Sequence, residues 1–308
     1  PLKFNTVDQQ NFSRFDFADQ NWTEVELPGN LSRSASGGVF WLRKKVDLSP
    51  DQFNGSVALV LGAIYDQDET YFNGELIGRR KSGYGHPRIY PLPARLIRNG
   101  ENVIAIRITG QFYDQIGITA GPIGLQPVAD ASWQFLKNDI YDLIFAALFF
   151  ISGSFFIILY RRMKQFGEYL WYGVFAISFG VQLFLRNEIR MDIMPNLFFP
   201  LKLAEQLSYI AMPTAFYFFF IKIFHWKPQG LLRIYPWVNA ATALIILLTF
   251  SPRIWNYVIS IWFLLNLPVF AFYLISTYKR AVAKKEKTAI IIGLGILFMT
   301  LNALYYYA

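Results

Sequence analysis

The chain has 308 residues, 54% hydrophobic and 18% aromatic, with 29 Lys plus Arg against 21 Asp plus Glu and no cysteine. Without Cys there is no thiol nucleophile, no disulfide framework and no mixed Cys/His metal site. The net charge of +8 does not point to nucleic acid, because residues 1–137 hold 14 basic and 14 acidic side chains and the excess lies wholly in the remainder.

Up to about Asn138 the residues read as strands. Short alternating or apolar runs occur at Val39–Val46, Ser56–Leu61, Glu69–Phe72, Asn102–Ile108 and Ile116–Thr119, separated by turn residues. Asn73-Gly74 predicts a two-residue hairpin, because both central positions of such a turn need positive φ, and Asn99-Gly100 predicts a second turn leading into Val103–Ile108. No long amphipathic helix is present, so the expected architecture is an all-β antiparallel sandwich over residues 1–130. With roughly 135 residues the head can bury a self-sufficient core without disulfides.

From Asn138 the chain changes character. Six apolar segments follow, Leu143–Tyr160, Tyr169–Leu185, Leu203–Phe224, Ile234–Phe250, Ile254–Tyr278 and Thr288–Tyr307, each of 17 to 25 residues. At about 1.5 Å per residue each can cross a hydrocarbon core of roughly 30 Å. Residues 143–308 are therefore expected to form an all-α transmembrane bundle in a lipid bilayer, joined to the head by a coupling segment at 131–142. The loops after the first, third and fifth segments carry eleven Lys or Arg and the alternate loops only Arg186, Arg190, Lys202 and Arg253. By the positive-inside rule the head lies outside the cytoplasm, and with no leader before Pro1 a removed signal peptide is the expectation.

The order Trp22, Leu27-Pro28, Gly38–Lys44 (GVFWLRK), Gly62–Asp68 (GAIYDQD), Tyr71–Gly74 (YFNG), Gly78, Tyr90–Pro93 (YPLP) and Gly100–Arg107 (GENVIAIR) resembles the jelly-roll sugar-binding domain of family 2 glycoside hydrolases. Most of these residues have structural roles, so the likeness implies the fold more strongly than it implies sugar binding. A carbohydrate would stack on exposed rings while its hydroxyls bond carboxylates and amides. Tyr65, Asp66, Asp68, Tyr84, His86, Arg88 and Tyr113 are the candidates, with Ser82–His86 as an exposed loop beside them. The bland alternative is that Asp66 and Asp68 cap turns and the tyrosines pack. The same carboxylates leave calcium open as a ligand, although no calcium loop of recognisable spacing occurs, and no cofactor or dedicated metal site is expected.

Family 2 hydrolases carry their catalytic carboxylate pair on a separate barrel, for which this chain has no room. With two histidines in all, His86 and His225, no metalloprotease motif and no phosphate loop, catalysis is not expected here. Glu205 is the deepest acidic residue of the spans, either pairing helices or serving a proton or ion path. Head and spans together resemble the bacterial seven-transmembrane receptors with diverse intracellular signalling modules. That resemblance implies an inner-membrane sensor, a seventh helix and a cytoplasmic effector beyond this sequence, and a homodimer as one form of assembly. The alternative is a transporter or membrane-anchored carbohydrate-binding component, against which the spans show no internal repeat.

Overall fold

The structure is a computed structural model that describes residues 2–29, 31, 38–49, 55–65, 67–80, 86–110, 117–187, 194, 197–283, 285 and 287–295. Its first part is all β: β1 (Leu2–Asn5), β2 (Thr23–Val25), β3 (Val39–Leu48), β4 (Val57–Tyr65), β5 (Gln67–Phe72), β6 (Glu75–Arg80), β7 (His86–Leu92), β8 (Gly100–Thr109), β9 (Gly117–Ala120) and β10 (Gly124–Pro127). They form one sheet in the order β2-β1-β3-β8-β5-β6 and a second in the order β10-β4-β7, with β9 also on β4. Every described pairing is antiparallel.

Strand alternation sets the layers. Phe40 and Leu42 of β3 and Ile104, Ile106 and Ile108 of β8 meet Leu59, Leu61 and Ile64 of β4, Leu92 and Ile118 in one buried core. Trp41 and Arg43 point the other way, under residues 6–22, where Phe12 and Trp22 pack on Trp41. The buried Arg43 guanidinium is satisfied there by the Asp19 carboxylate at 3.2 Å and by the carbonyls of Phe12, Arg14 and Phe17. The Asn73-Gly74 hairpin joins β5 to β6 with φ of 50° and 90°. Asn73 also donates to the Leu96 carbonyl and Asn102 and accepts from the Val103 amide, each at 2.8 Å, which pins the turn to the start of β8.

Helices follow without a break. α1 (Val128–Arg162) begins directly after β10, and the Val128 amide donates to the Ser56 carbonyl at 3.0 Å. The segment expected as a coupler, 131–142, is thus an internal stretch of one 35-residue helix. Then come α2 (Gly167–Arg186), α3 (Phe198–Ile223), α4 (Leu231–Leu248) and α5 (Pro252–Ala283), and residues 287–295 are helical again. α1 and α2 are antiparallel and pack backbone on backbone: a Cβ on Gly153 would lie 2.9 Å from the Gly173 carbonyl oxygen, and one on Gly180 would lie 3.1 Å from that of Ala146.

Among the described residues four helices, over Asp139–Arg162, Gly167–Arg186, Leu231–Leu248 and Pro252–Val282, are long and apolar enough to cross a membrane, where six segments were expected. The third expected segment falls on α3, which carries Lys202, Glu205, Gln206 and Ser208 in its first half, all buried. The sixth lies outside the described residues beyond 295. The interior of the helical part holds apolar clusters around Phe220 and Tyr273 and around Ile246 and Trp255, with buried polar side chains between them, and its outer surface is apolar. Gln182 donates to Tyr209, Lys202 pairs with Glu205 at 3.1 Å, and Asn239 bridges Thr214 and Trp262, while Ile144, Leu148, Ile151, Phe155, Leu248 and Leu264 face outward. Because the helices alternate in direction, Arg161, Arg162, Lys164, Lys222, Lys227, Arg233, Lys279 and Arg280 gather at the end farthest from the sandwich.

Candidate functional site

The β4 strand orders the whole head. At its first residue Val57 pairs with Pro127, the residue before α1, and with Leu92. At its other end Ile64 pairs with His86 and Tyr65 with Gly117. Asp68 pairs with Arg80 and Gln67 with Thr109 on the larger sheet, so the ends of β4, β5, β6, β7, β8 and β9 that carry the candidate residues meet on the side away from α1.

Asp68 and Arg88 lie there, but not in a surface loop. They are buried at 2% and 1% exposure, and the Arg88 Nε donates to Asp68 Oδ1 at 2.6 Å. β5 belongs to one sheet and β7 to the other, so this ion pair bridges the sandwich. Arg88 Nη2 reaches the Ile64 carbonyl at 3.2 Å, the Tyr90 hydroxyl donates to Asp68 Oδ2 at 2.6 Å, and Thr70 Oγ1 donates to the same oxygen at 3.1 Å. Burial, reinforced by the Asp68 charge, drives the Tyr90 hydroxyl far above its ordinary pKa, so Tyr90 stays a donor. The Tyr90 ring lies against Gly78, where an added Cβ would sit 2.0 Å from Tyr90 Cδ1.

Sequence reasoning paired neither Tyr90 nor Thr70 with the candidates. Tyr90 and Gly78 did stand in the quoted motifs, yet nothing in their spacing shows that one needs the other bare. Tyr65 and His86 occupy adjacent strand ends, and their side chains lie outside the described residues, as do Asp66, Tyr84 and Tyr113 altogether.

A second polar group lies on the outer face of the larger sheet. Arg107 grips Asp8 through Nε at 2.8 Å and Nη2 at 2.6 Å, Trp41 Nε1 donates to Asp8 at 3.0 Å, and Tyr71 donates to Glu69 at 3.2 Å. Asp8, Gln10, Glu69 and Arg107 line an open hollow of about 220 Å³. The Arg107 hydrogen bonds, outweighing burial and helped by Trp41, hold the Asp8 carboxyl below the ordinary carboxylate range. Rings beside charged groups in an open hollow can hold a hydroxylated ligand, but every charge here is met within the protein. Among the described residues no group of three or more His, Asp and Glu is placed to hold a metal ion.

No protein-family model matches the chain. A putative β-glucuronidase of Formosa agariphila is 25% identical over 146 residues, which cover 41% of this chain and 14% of that protein. Among solved structures, β-glucuronidase 2 of Bacteroides uniformis aligns at 21% identity over 39% of this chain and 15% of its own, with a TM-score of 0.33. A β-glycosidase from Bacteroides vulgatus aligns at 21% identity over 41% and 19%, with a TM-score of 0.35. The chain thus spans about a seventh of the curated relative it matches, and its β part resembles one domain of such enzymes. The fold itself stands on the strand registers, not on likenesses of this score.

Proposed function

We propose that the chain is the sensing and membrane-embedded part of a receptor, with the β-sandwich outside the cytoplasm and a carbohydrate as its ligand class. One observation carries this reading: a single helix, α1, starts at the last strand of the sandwich and runs into an apolar span with no linker between. An outward apolar surface over an interior of Gln182, Glu205, Asn239 and Asn266 supports placement in lipid, since water would leave that surface uncovered. Basic residues gathered at the far end support a cytoplasmic side there, in a bacterial inner membrane. The likeness to part of a putative β-glucuronidase supports a carbohydrate as ligand, and catalysis is assigned to no residue of this chain. An effector after the last helix would read the bundle, its bias limited by the ligand's differential affinity for the two states.

The test uses the whole chain in lipid nanodiscs. Calorimetry against mono- and oligosaccharides, with and without Ca²⁺, should give saturable binding that Asp66→Ala or Tyr84→Ala weakens. A cysteine placed at Arg162 and labelled with a fluorophore should report that binding. Inserting one alanine after Ser132, which turns the helix below it by roughly 100°, should abolish the report while binding persists. Binding with an unchanged report after insertion would sink the coupling role of α1. The second reading, transport, is favoured by the buried Lys202–Glu205 pair in α3, and uptake of a bound sugar into vesicles would establish it instead.

A further inference from the structure

We infer that the open hollow on the outer face of the larger sheet is a sugar subsite of its own, and that it takes one neutral, hydroxylated ring; the inference rests on the carbohydrate reading above. Two stretches far apart in the chain build it. Asp8 and Gln10 come from the segment lying over Trp41, and Glu69 and Arg107 from β5 and β8 beneath, where they stand opposite each other. The described residues that line it include none of the loop candidates.

Both carboxylates are fixed from behind. Asp8 takes Nε and Nη2 of Arg107 and the indole of the fully buried Trp41. Glu69 takes the hydroxyl of Tyr71, whose ring stacks on Trp41 with centroids 5.7 Å apart. Groups held in place before a ligand arrives lose little freedom on binding it.

The capacity left over points to the ligand's chemistry. An ionised carboxylate has about four lone-pair sites, yet among the described residues Glu69 Oε1 receives no hydrogen bond and Asp8 Oδ2 receives one. Gln10 is exposed, and its carboxamide meets no partner among the described residues. A hydroxyl donates and accepts at once, so a ring of hydroxyls answers the carboxylates and the carboxamide together. An ammonium offers no acceptor to Gln10. An anion meets Asp8 and Glu69 while the Arg107 fork is already closed on Asp8, and Arg79, opposite Glu69 on β6, borders the smaller hollow beside this one. At about 220 Å³ the hollow falls short of the roughly 300 Å³ at which sites for drug-sized ligands begin, so it holds a single ring of a chain whose remainder stays in solvent.

Calorimetry on the whole chain in nanodiscs compares glucose, galactose and mannose with the uronate and the amino sugar of each. At least one neutral sugar should bind, and more tightly than its charged counterparts. Glu69→Gln keeps the shape and removes the charged acceptor; it should weaken that binding about tenfold or more, and Gln10→Ala about threefold or more. Both variants should match the parent in pulse proteolysis, since neither side chain is buried. Glu75→Gln, at the exposed pair with Arg95, should bind as the parent does. Sugar binding that Asp66→Ala weakens while Glu69→Gln and Gln10→Ala leave it untouched overturns the hollow and leaves the carbohydrate reading standing. A uronate or amino sugar held more tightly, and released by Glu69→Gln, overturns the neutral ligand class. No sugar bound by a chain that unfolds cooperatively in urea overturns the carbohydrate reading and the hollow with it.

Discussion

Replacing Arg88 with methionine tests how the two sheets are held together. The change keeps an unbranched stem of similar reach but removes the guanidinium that meets Asp68 Oδ1 at 2.6 Å and the Ile64 carbonyl at 3.2 Å. Asp68, at 2% exposure, keeps only the Tyr90 and Thr70 hydroxyls. A buried charge stripped of its counter-ion costs about 3 to 5 kcal/mol, between about a fifth and the whole of the stability of an ordinary domain. Cleavage of the sandwich through its opened state should therefore rise by roughly two to three and a half orders of magnitude, and pulse proteolysis of the full chain in urea reads this directly. Removing both charges, as Asp68→Leu with Arg88→Met, should recover at least half of the loss, since the penalty belongs to the unpaired charge and not to the missing attraction. If Arg88→Met stays within about 1 kcal/mol of the parent, the pair is not the buried bridge described here.

The remaining predictions use the same assay except where stated. Gly78→Ala drives a methyl into the Tyr90 ring and should cost about 1 to 3 kcal/mol, with Tyr90→Leu in the same chain relieving part of it. The Asp8 carboxyl lies below its unfolded value near 3.9, so its pairing with Arg107 contributes stability above about pH 4 that is lost as pH falls through the lower, folded value. Asp8→Asn should accordingly flatten the acid limb of the head's stability curve and leave its behaviour above about pH 6 unchanged in slope. Gly153→Val places branched carbons against the Gly173 carbonyl and should force α1 and α2 apart, read as a lower aggregation midpoint of the detergent-solubilised chain.

Several features could be read from residue order because one local cause decides them. Asn73-Gly74 demands positive φ at both positions, and β3 alternates Phe40 and Leu42 against Trp41 and Arg43 over two distinct layers. Apolar length located α1, α2, α4 and α5. What stayed hidden depends on a partner far along the chain or on which way a helix turns. Asp68 reads as a turn cap or ligand residue until Arg88, twenty residues on and in the other sheet, is placed against it. Hydropathy counts Lys202, Glu205 and Gln206 equally whether they face lipid or neighbours, so it could not tell that α3 turns them inward. The strands β1, β2, β7 and β10 are short, or interrupted by Pro87 and Pro91, and gave no clear alternation. The continuity of α1 through Ser132–Asp142 escaped notice because that stretch has neither the apolar density of a span nor a strand's alternation.

From Val128 down to Ser152, α1 contains neither glycine nor proline, so it has no built-in elbow for its first twenty-five residues. The strand ends that carry the candidate residues lie at the far side of β4 from where this rod begins. On the receptor reading proposed above, a ligand held there would act on the helical part by tipping or twisting the head, with the helix as its axle. A head built this way responds to posture. On that reading, a polymer that drags on the head, a neighbour that crowds it or a surface that pins it would turn the axle as effectively as a bound small molecule, and the far end of the bundle would have no means of telling them apart.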